Sequence, residues 1–114
     1  PRDFIEGGAV SGAFFMMRRK AFRSLGGFDE AYFLHVEDVD LCRRVQQAGG
    51  VVLYQPLAGA LHYGSTSDVP SDEVMAHKAK SLVRYFTKFA SGPAERLLIR
   101  LVSPFMVRLL KARA

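Results

Sequence analysis

Two glycine pairs, Gly26-Gly27 and Gly49-Gly50, constrain this chain more than any other feature. Glycine adopts a left-handed backbone at little cost, so a pair placed after an apolar-periodic run reads as a helix exit. The first pair closes a short helix expected over residues 18–25, where Phe22 and Leu25 share a face. The second closes a helix expected to start at an Asp38 cap and run through Ala48. On that helix Leu41, Cys42, Val45 and Ala48 form an apolar face, with Arg43, Arg44, Gln46 and Gln47 around the rest. Between the glycine pairs lie two acidic clusters flanking an aromatic segment, Phe28-Asp29-Glu30 and Glu37-Asp38-Val39-Asp40-Leu41. Acidic groups at loop-to-helix junctions are how a fold aims carboxylates into a cleft.

The other segments predict an α/β chain. Residues 10–17 read as a strand near the domain centre, residues 51–54 as a strand closed by Pro56, and residues 57–63 as another short strand. Residues 31–36 are aromatic and fit an extended segment or a single turn. Residues 64–72 are rich in Gly, Ser, Asp and Pro and read as a mobile loop. A helix follows over residues 73–90, its stripe made by Met75, Ala79, Leu82, Val83, Phe86 and Phe89. Ser91-Gly92-Pro93 breaks it and starts a second helix with a broad Leu/Phe face, which Pro104 is expected to bend or interrupt.

With 114 residues, 49% of them hydrophobic and nine of them Phe, the chain suits one ordered domain rather than a disordered segment. Cys42 is the single cysteine, which excludes an internal disulfide and a cysteine-based zinc site; it reads as a small core residue. The sequence opens on Pro1 without a basic-then-apolar leader, and is expected to be a piece of a longer protein. No uncharged apolar run approaches the ~20 residues that cross a bilayer. Charge is uneven: residues 1–72 carry seven Lys/Arg against nine Asp/Glu, a balance of −2, and residues 73–114 carry nine against two, a balance of +7. The boundary expected is therefore an acidic portion over 1–72 and a basic amphipathic helical extension over 73–114. Phosphate contacts would tolerate that +7, but wide apolar faces suit packing or a membrane better than a groove, so no nucleic-acid partner is expected.

Each group that could do chemistry also has a purely structural reading. An ionised carboxylate within hydrogen-bond reach of a hydroxyl can take its proton, which fits Glu37 or Asp38; both could equally only cap a helix. Asp40 is most simply an acid at a helix N-terminus. Asp29 and Glu30 could present acceptors to sugar hydroxyls or merely close a turn. His62, between Leu61 and Tyr63, could ligate Mn²⁺ or Mg²⁺ or sit satisfied in a core. His35 and His77 are weaker candidates, and His77 is expected to be solvated.

In order, Ser11-Gly12-Ala13, Arg18-Arg19, Gly26-Gly27-Phe28-Asp29-Glu30, Glu37-Asp38-Val39-Asp40-Leu41-Cys42-Arg43-Arg44, Gly49, Pro56, His62 and Ser65 to Ser67 resemble a known string. It is that of the C-terminal half of the catalytic domain in family 2 glycosyltransferases, especially the rhamnosyltransferase-like branch. The resemblance covers roughly residues 7–67. It implies a partial GT-A fold, an α/β sheet that binds a nucleotide-sugar, and an inverting reaction. It also implies Asp38 as general base, Glu37 supporting the acceptor site, and Gly12 forming the floor beneath the donor sugar. Asp29, Glu30 and Arg43 would line the substrate, and His62 would help to hold a divalent metal, Mn²⁺ or Mg²⁺. The implied partners are a nucleotide-sugar donor and a glycan or lipid-linked acceptor. The implied location is the bacterial cytoplasm, peripheral at the inner face of the cytoplasmic membrane.

The family's nucleotide-binding strands and Asp-x-Asp metal motif precede the matching segment and are absent from this sequence, so the chain alone is expected to be inactive. The basic helices over 73–114 invite peripheral membrane contact, or their apolar stripes pack on the missing half of the domain or form a homo-oligomeric self-association interface. The rival to catalysis is a non-catalytic binding or self-association module.

Overall fold

The computed structural model describes residues 4–63 and 71–112. The expected loop over 64–70 and the Ser65 to Ser67 end of the motif string lie outside the described residues. Two compact units emerge, one formed by Pro1–Glu30 and Glu37–Thr66, the other by Ala31–Val36 and Ser67–Ala114.

The first unit is a small α/β arrangement holding β1 (Ile5–Glu6), α1 (Arg19–Ser24), α2 (Glu37–Gln47) and β2 (Leu53–Tyr54). Both helices end as their glycine pairs predict. Gly26 and Gly27 have φ 80° and 72°, with Gly26 N–H donating to Arg23 O and Gly27 N–H to Phe22 O. Gly49 has φ 80°, with Gly49 N–H donating to Gln46 O and Gly50 N–H to Val45 O. This is the Schellman arrangement twice over, in which the last carbonyls of a helix are satisfied by backbone that only glycine adopts cheaply. The core holds Leu41, Cys42 and Val52, and Phe28 makes edge-to-face contacts with Phe15 and Phe22 at 6.0 and 5.5 Å.

The strands depart from expectation. β1 and β2 pair antiparallel, Ile5 opposite Tyr54 and Glu6 opposite Leu53, and Gly7 N–H extends the ladder to Val52 O at 3.0 Å. Residues 10–17 are not a strand but an irregular segment with a turn at Gly12-Ala13. Residues 57–63 are not a strand either; Gln55 folds the chain at Pro56, its side-chain oxygen accepting from Leu57 N–H at 3.0 Å. Propensity describes a side chain's fit to a pleated surface, and a ladder also needs a partner strand.

The second unit is a helical hairpin, α3 (Ser71–Lys88) packed on α4 (Pro93–Ala112), with residues Ala31–Val36 alongside α3. Ala79 is fully buried. Ser81 Oγ donates to Leu34 O at 2.8 Å, and Arg84 lies 5.3 Å above the Tyr32 ring. His77 is not solvated as expected: it is half-buried and its ring lies 4.5 Å from Phe33. α3 begins at Ser71, so residues 71–72 are helical and not loop.

At the hairpin's turn Pro93 takes the first helical position, where its missing N–H costs nothing. The Glu95 carboxylate accepts from both the N–H and the hydroxyl of Ser91. Pro104 does not interrupt α4, which runs unbroken to Ala112. Proline at this position cannot donate to the Arg100 carbonyl one turn back; Ser103 Oγ donates to it instead, at 3.1 Å.

Candidate functional site

The Glu-Asp cluster opens α2. The helix starts at Glu37, so Asp38 stands in its first turn rather than at the cap. Asp38 is held from two sides: Oδ2 accepts from Gly12 N–H at 2.8 Å and Oδ1 from Val39 N–H at 2.8 Å. Each carboxylate oxygen keeps a further lone pair for a ligand hydrogen. A methyl group at Gly12 would lie 3.4 Å from Asp38 Cβ and 3.5 Å from its Oδ2. Two pieces of the motif string, 26 residues apart in sequence, therefore meet at one carboxylate.

Glu37 is the complement. Its Oε2 is buried and has no hydrogen-bond partner among the described residues. Buried polar atoms are satisfied in the great majority of cases, so this unpartnered carboxylate oxygen is uncommon. Immediately before it, His35 and Val36 hold φ of 63° and 76°. For a β-branched residue such as Val36 that is an outlier, at a cost on the order of 1–3 kcal/mol, and strain of this kind clusters at functional sites.

Asp40 does something other than face solvent at a helix end. It is fully buried, and Arg44 Nε donates to its Oδ2 at 2.6 Å. The same guanidinium donates through Nη1 to Leu25 O at 2.6 Å and through Nη2 to Gly27 O at 2.8 Å. Arg44 thus bolts the end of α1 and its glycine turn onto α2, and is not part of the helix's loose polar remainder. The i, i+4 spacing of acid and base was a readable signal for this pair. The two carbonyls come from elsewhere in the chain and left none.

Of the predicted residues, Gly12 and Asp38 are joined directly, and Glu37 precedes Asp38 in the first turn of α2. Asp29 is half-buried beyond the glycine turn, while Glu30 and Arg43 are exposed. His62 is exposed and lines an open groove of about 1170 Å³ together with Ser11, Phe14, Phe15, Val52 and Tyr54. Among the described residues no group of three His, Cys, Asp or Glu side chains could hold a metal ion. His62 alone does not make a Mn²⁺ or Mg²⁺ site, since such ions are held mainly by several oxygen ligands.

The sequence is similar to bacterial glycosyltransferases. It is 41% identical over 78 residues to an N-acetylglucosaminyl-diphospho-decaprenol L-rhamnosyltransferase of Mycobacterium tuberculosis, a match covering 67% of this chain and 25% of that protein. It is 42% identical over 53 residues to rhamnosyltransferase WbbL of Escherichia coli, covering 46% of this chain and 20% of the relative. It is 44% identical over 54 residues to a pre-mycofactocin glycosyltransferase of M. tuberculosis, covering 46% of this chain and 11% of the relative. No family model matches the chain, and no solved structure matches it. The chain spans about a quarter of the length of the first of these curated relatives, and its similarity to glycosyltransferases of the rhamnosyltransferase kind holds over that part.

Proposed function

We propose that this chain is the acceptor-side portion of an inverting, GT-A-type glycosyltransferase, with residues 1–72 belonging to the catalytic domain and 73–114 forming a basic helical extension. The observation that carries the reading is the hydrogen bond from Gly12 N–H to Asp38 Oδ2. It joins the Gly12 segment, which the resemblance places beneath the donor sugar, to Asp38, which the resemblance makes the general base. The similarity to rhamnosyltransferases supports the reaction class and makes rhamnose the first sugar to try.

In the proposed step an acceptor hydroxyl attacks the anomeric carbon of a nucleotide-sugar. The bond to the diphosphate breaks on the opposite face, and the hydroxyl proton passes to Asp38. The backbone donors at Gly12 and Val39 hold the carboxylate in place, and positioning of this kind is worth much of a transfer barrier. Glu37, next to Asp38 in the first turn of α2, supports the acceptor site. Asp29, Glu30, Gly12 and Arg43 line the substrate. Asp40 takes no part as a base, because its buried carboxylate is committed to Arg44. A divalent cation beside His62 would take its other ligands from outside the described residues.

The proposed partners are a nucleotide-sugar donor and a glycan or lipid-linked acceptor, at the inner face of a bacterial cytoplasmic membrane. Among the described residues no helix is long and apolar enough to cross a membrane. The test is transfer by the complete polypeptide encoded with this sequence, using a panel of nucleotide-sugars, Mn²⁺ or Mg²⁺, and bacterial lipid extract. Incorporation of one sugar into lipid is expected; donor binding without transfer to any acceptor would favour a non-catalytic binding module instead.

A further inference from the structure

We propose that Ser81 of α3 is a positioning residue for the Glu37-Asp38 pair, acting through the backbone of residues 31–36; this rests on the transferase reading. Four α3 residues meet that segment. The His77 ring lies 4.5 Å from Phe33, Ser81 Oγ donates to Leu34 O at 2.8 Å, and Arg84 and Lys88 lie 5.3 and 5.8 Å from the Tyr32 ring centre. Positions 77, 81, 84 and 88 are spaced by four, three and four, which puts all of them on one face of the helix. Ser81, Tyr32 and Val36 are buried. The Ser81 bond ends on a carbonyl, so it fixes the path of the chain itself and not only a side chain.

That path leads straight to the candidate base. Past Leu34 the chain holds His35 at φ 63° and Val36 at φ 76°, and Glu37 and Asp38 follow directly in the first turn of α2. A β-branched residue keeps a left-handed backbone only where its surroundings over-determine it. The anchors on α3 constrain this segment before the strained residues, and α2 constrains it after them. With Leu34 released, Val36 would relax toward an ordinary backbone and change the direction in which the chain enters α2. Asp38, whose carboxylate accepts from Gly12 N–H, would then sit less accurately against an acceptor hydroxyl. Misplacement by about 1 Å can cost about a hundredfold in rate. α3 thereby serves the reaction as well as the hairpin.

The test compares the complete polypeptide with its Ser81→Ala variant, folding being checked by circular dichroism. Ser103→Ala removes a serine hydroxyl from the same hairpin and serves as control. In Ser81→Ala the amides of residues 34–38 are expected to exchange hydrogen about tenfold faster, because local opening breaks one buried hydrogen bond fewer. Those of α4 should be unchanged. The kcat should fall roughly 10–100-fold with donor binding intact. Placed in Asp38→Asn, the same substitution should change the residual turnover by no more than about twofold, since its effect passes through the base. Arg84→Met/Lys88→Met, at exposed positions, should move exchange and kcat in the same direction. Unchanged exchange at 34–38 in Ser81→Ala would overturn the proposal, whatever the turnover. Faster exchange with unchanged kcat would overturn it too, as would a kcat loss as large in Asp38→Asn as in wild type. Full turnover by Asp38→Asn would instead overturn the transferase reading's base, with the exchange result still deciding whether α3 holds the segment.

Discussion

Replacing Arg44 by Met keeps most of the side chain's length and removes its charge and its donors. Three acceptors then lose their partner together: Asp40 Oδ2 and the carbonyls of Leu25 and Gly27. An exposed i, i+4 pair would be worth about 0.3–0.5 kcal/mol. This pair is in the other regime, because the Asp40 side chain is 0% exposed and that of Arg44 only 16%. Removing one partner of a buried pair costs about 3–5 kcal/mol, since the remaining charge is left uncompensated. The lower end of that range gives an expected loss of about 3 kcal/mol. With a urea slope of ~1–2 kcal/mol/M for a protein of this size, the midpoint should fall by roughly 1.5–3 M. The double variant Asp40→Leu/Arg44→Met removes both charges and should recover much of that loss. Arg44→Lys restores the charge without the planar fork and should fall between. An Arg44→Met midpoint within about 0.3 M of wild type, or a double variant no better than the single, would refute the assignment of Arg44 as the buried tie between α1 and α2.

Other outcomes follow from single positions. A Cβ at Gly50 would lie 2.8 Å from Val45 Cγ1 and 3.1 Å from the Val45 carbonyl, so Gly50→Ala should cost about 1–3 kcal/mol in the same urea assay; Gly59→Ala, with nothing within 4 Å, serves as its control. Hydrogen bonds from the side chain and then the backbone of Ser91 hold the Glu95 carboxyl below its ordinary value of 4.5. A carboxylate whose pKa is lowered by folding stabilises fully above its ordinary pKa and loses that contribution as pH falls through the lowered one. NMR titration should therefore show Glu95 in Ser91→Ala moving back up toward 4.5, and an unmoved Glu95 would contradict the capping role. Pro104→Ala restores a donor to the Arg100 carbonyl in an unbroken helix, and should raise stability by about 1–3 kcal/mol, read as a higher thermal midpoint.

Helices were legible because their signals are local. The glycine pairs set the ends of α1 and α2, and the 3–4 spacing of apolar residues set α3 and α4. Strands were not, because pairing depends on residues far away in sequence: residues 10–17 and 57–63 have strand-like composition and no partner strand among the described residues, whereas the two-residue Ile5–Glu6 has one. Pro104 was expected to bend or interrupt its helix, which runs unbroken, a neighbouring serine supplying the missing donor. At the site, the Glu-Asp cluster and Gly12 were named from the sequence, and the hydrogen bond that unites Gly12 with Asp38 was not. Burial turned Asp40 from a helix-end acid into half of a buried pair. Neither the buried, unpartnered oxygen of Glu37 nor the strained backbone of His35 and Val36 has a sequence signature, since both arise from how the chain enters α2.

The central claim is that Asp38 takes the acceptor proton, and Asp38→Asn in the complete polypeptide tests it most directly. Asparagine keeps the size of the side chain and one carbonyl oxygen for Gly12 N–H, but it is no base. General-base catalysis contributes typically ~10²–10⁴-fold, so kcat should fall by that factor while donor binding, measured by calorimetry, stays unchanged. Glu37→Gln, run beside it, should act mainly on acceptor KM. Turnover by Asp38→Asn within a few-fold of wild type would contradict the account and return Asp38 to the role of a helix-end tie for the Gly12 turn.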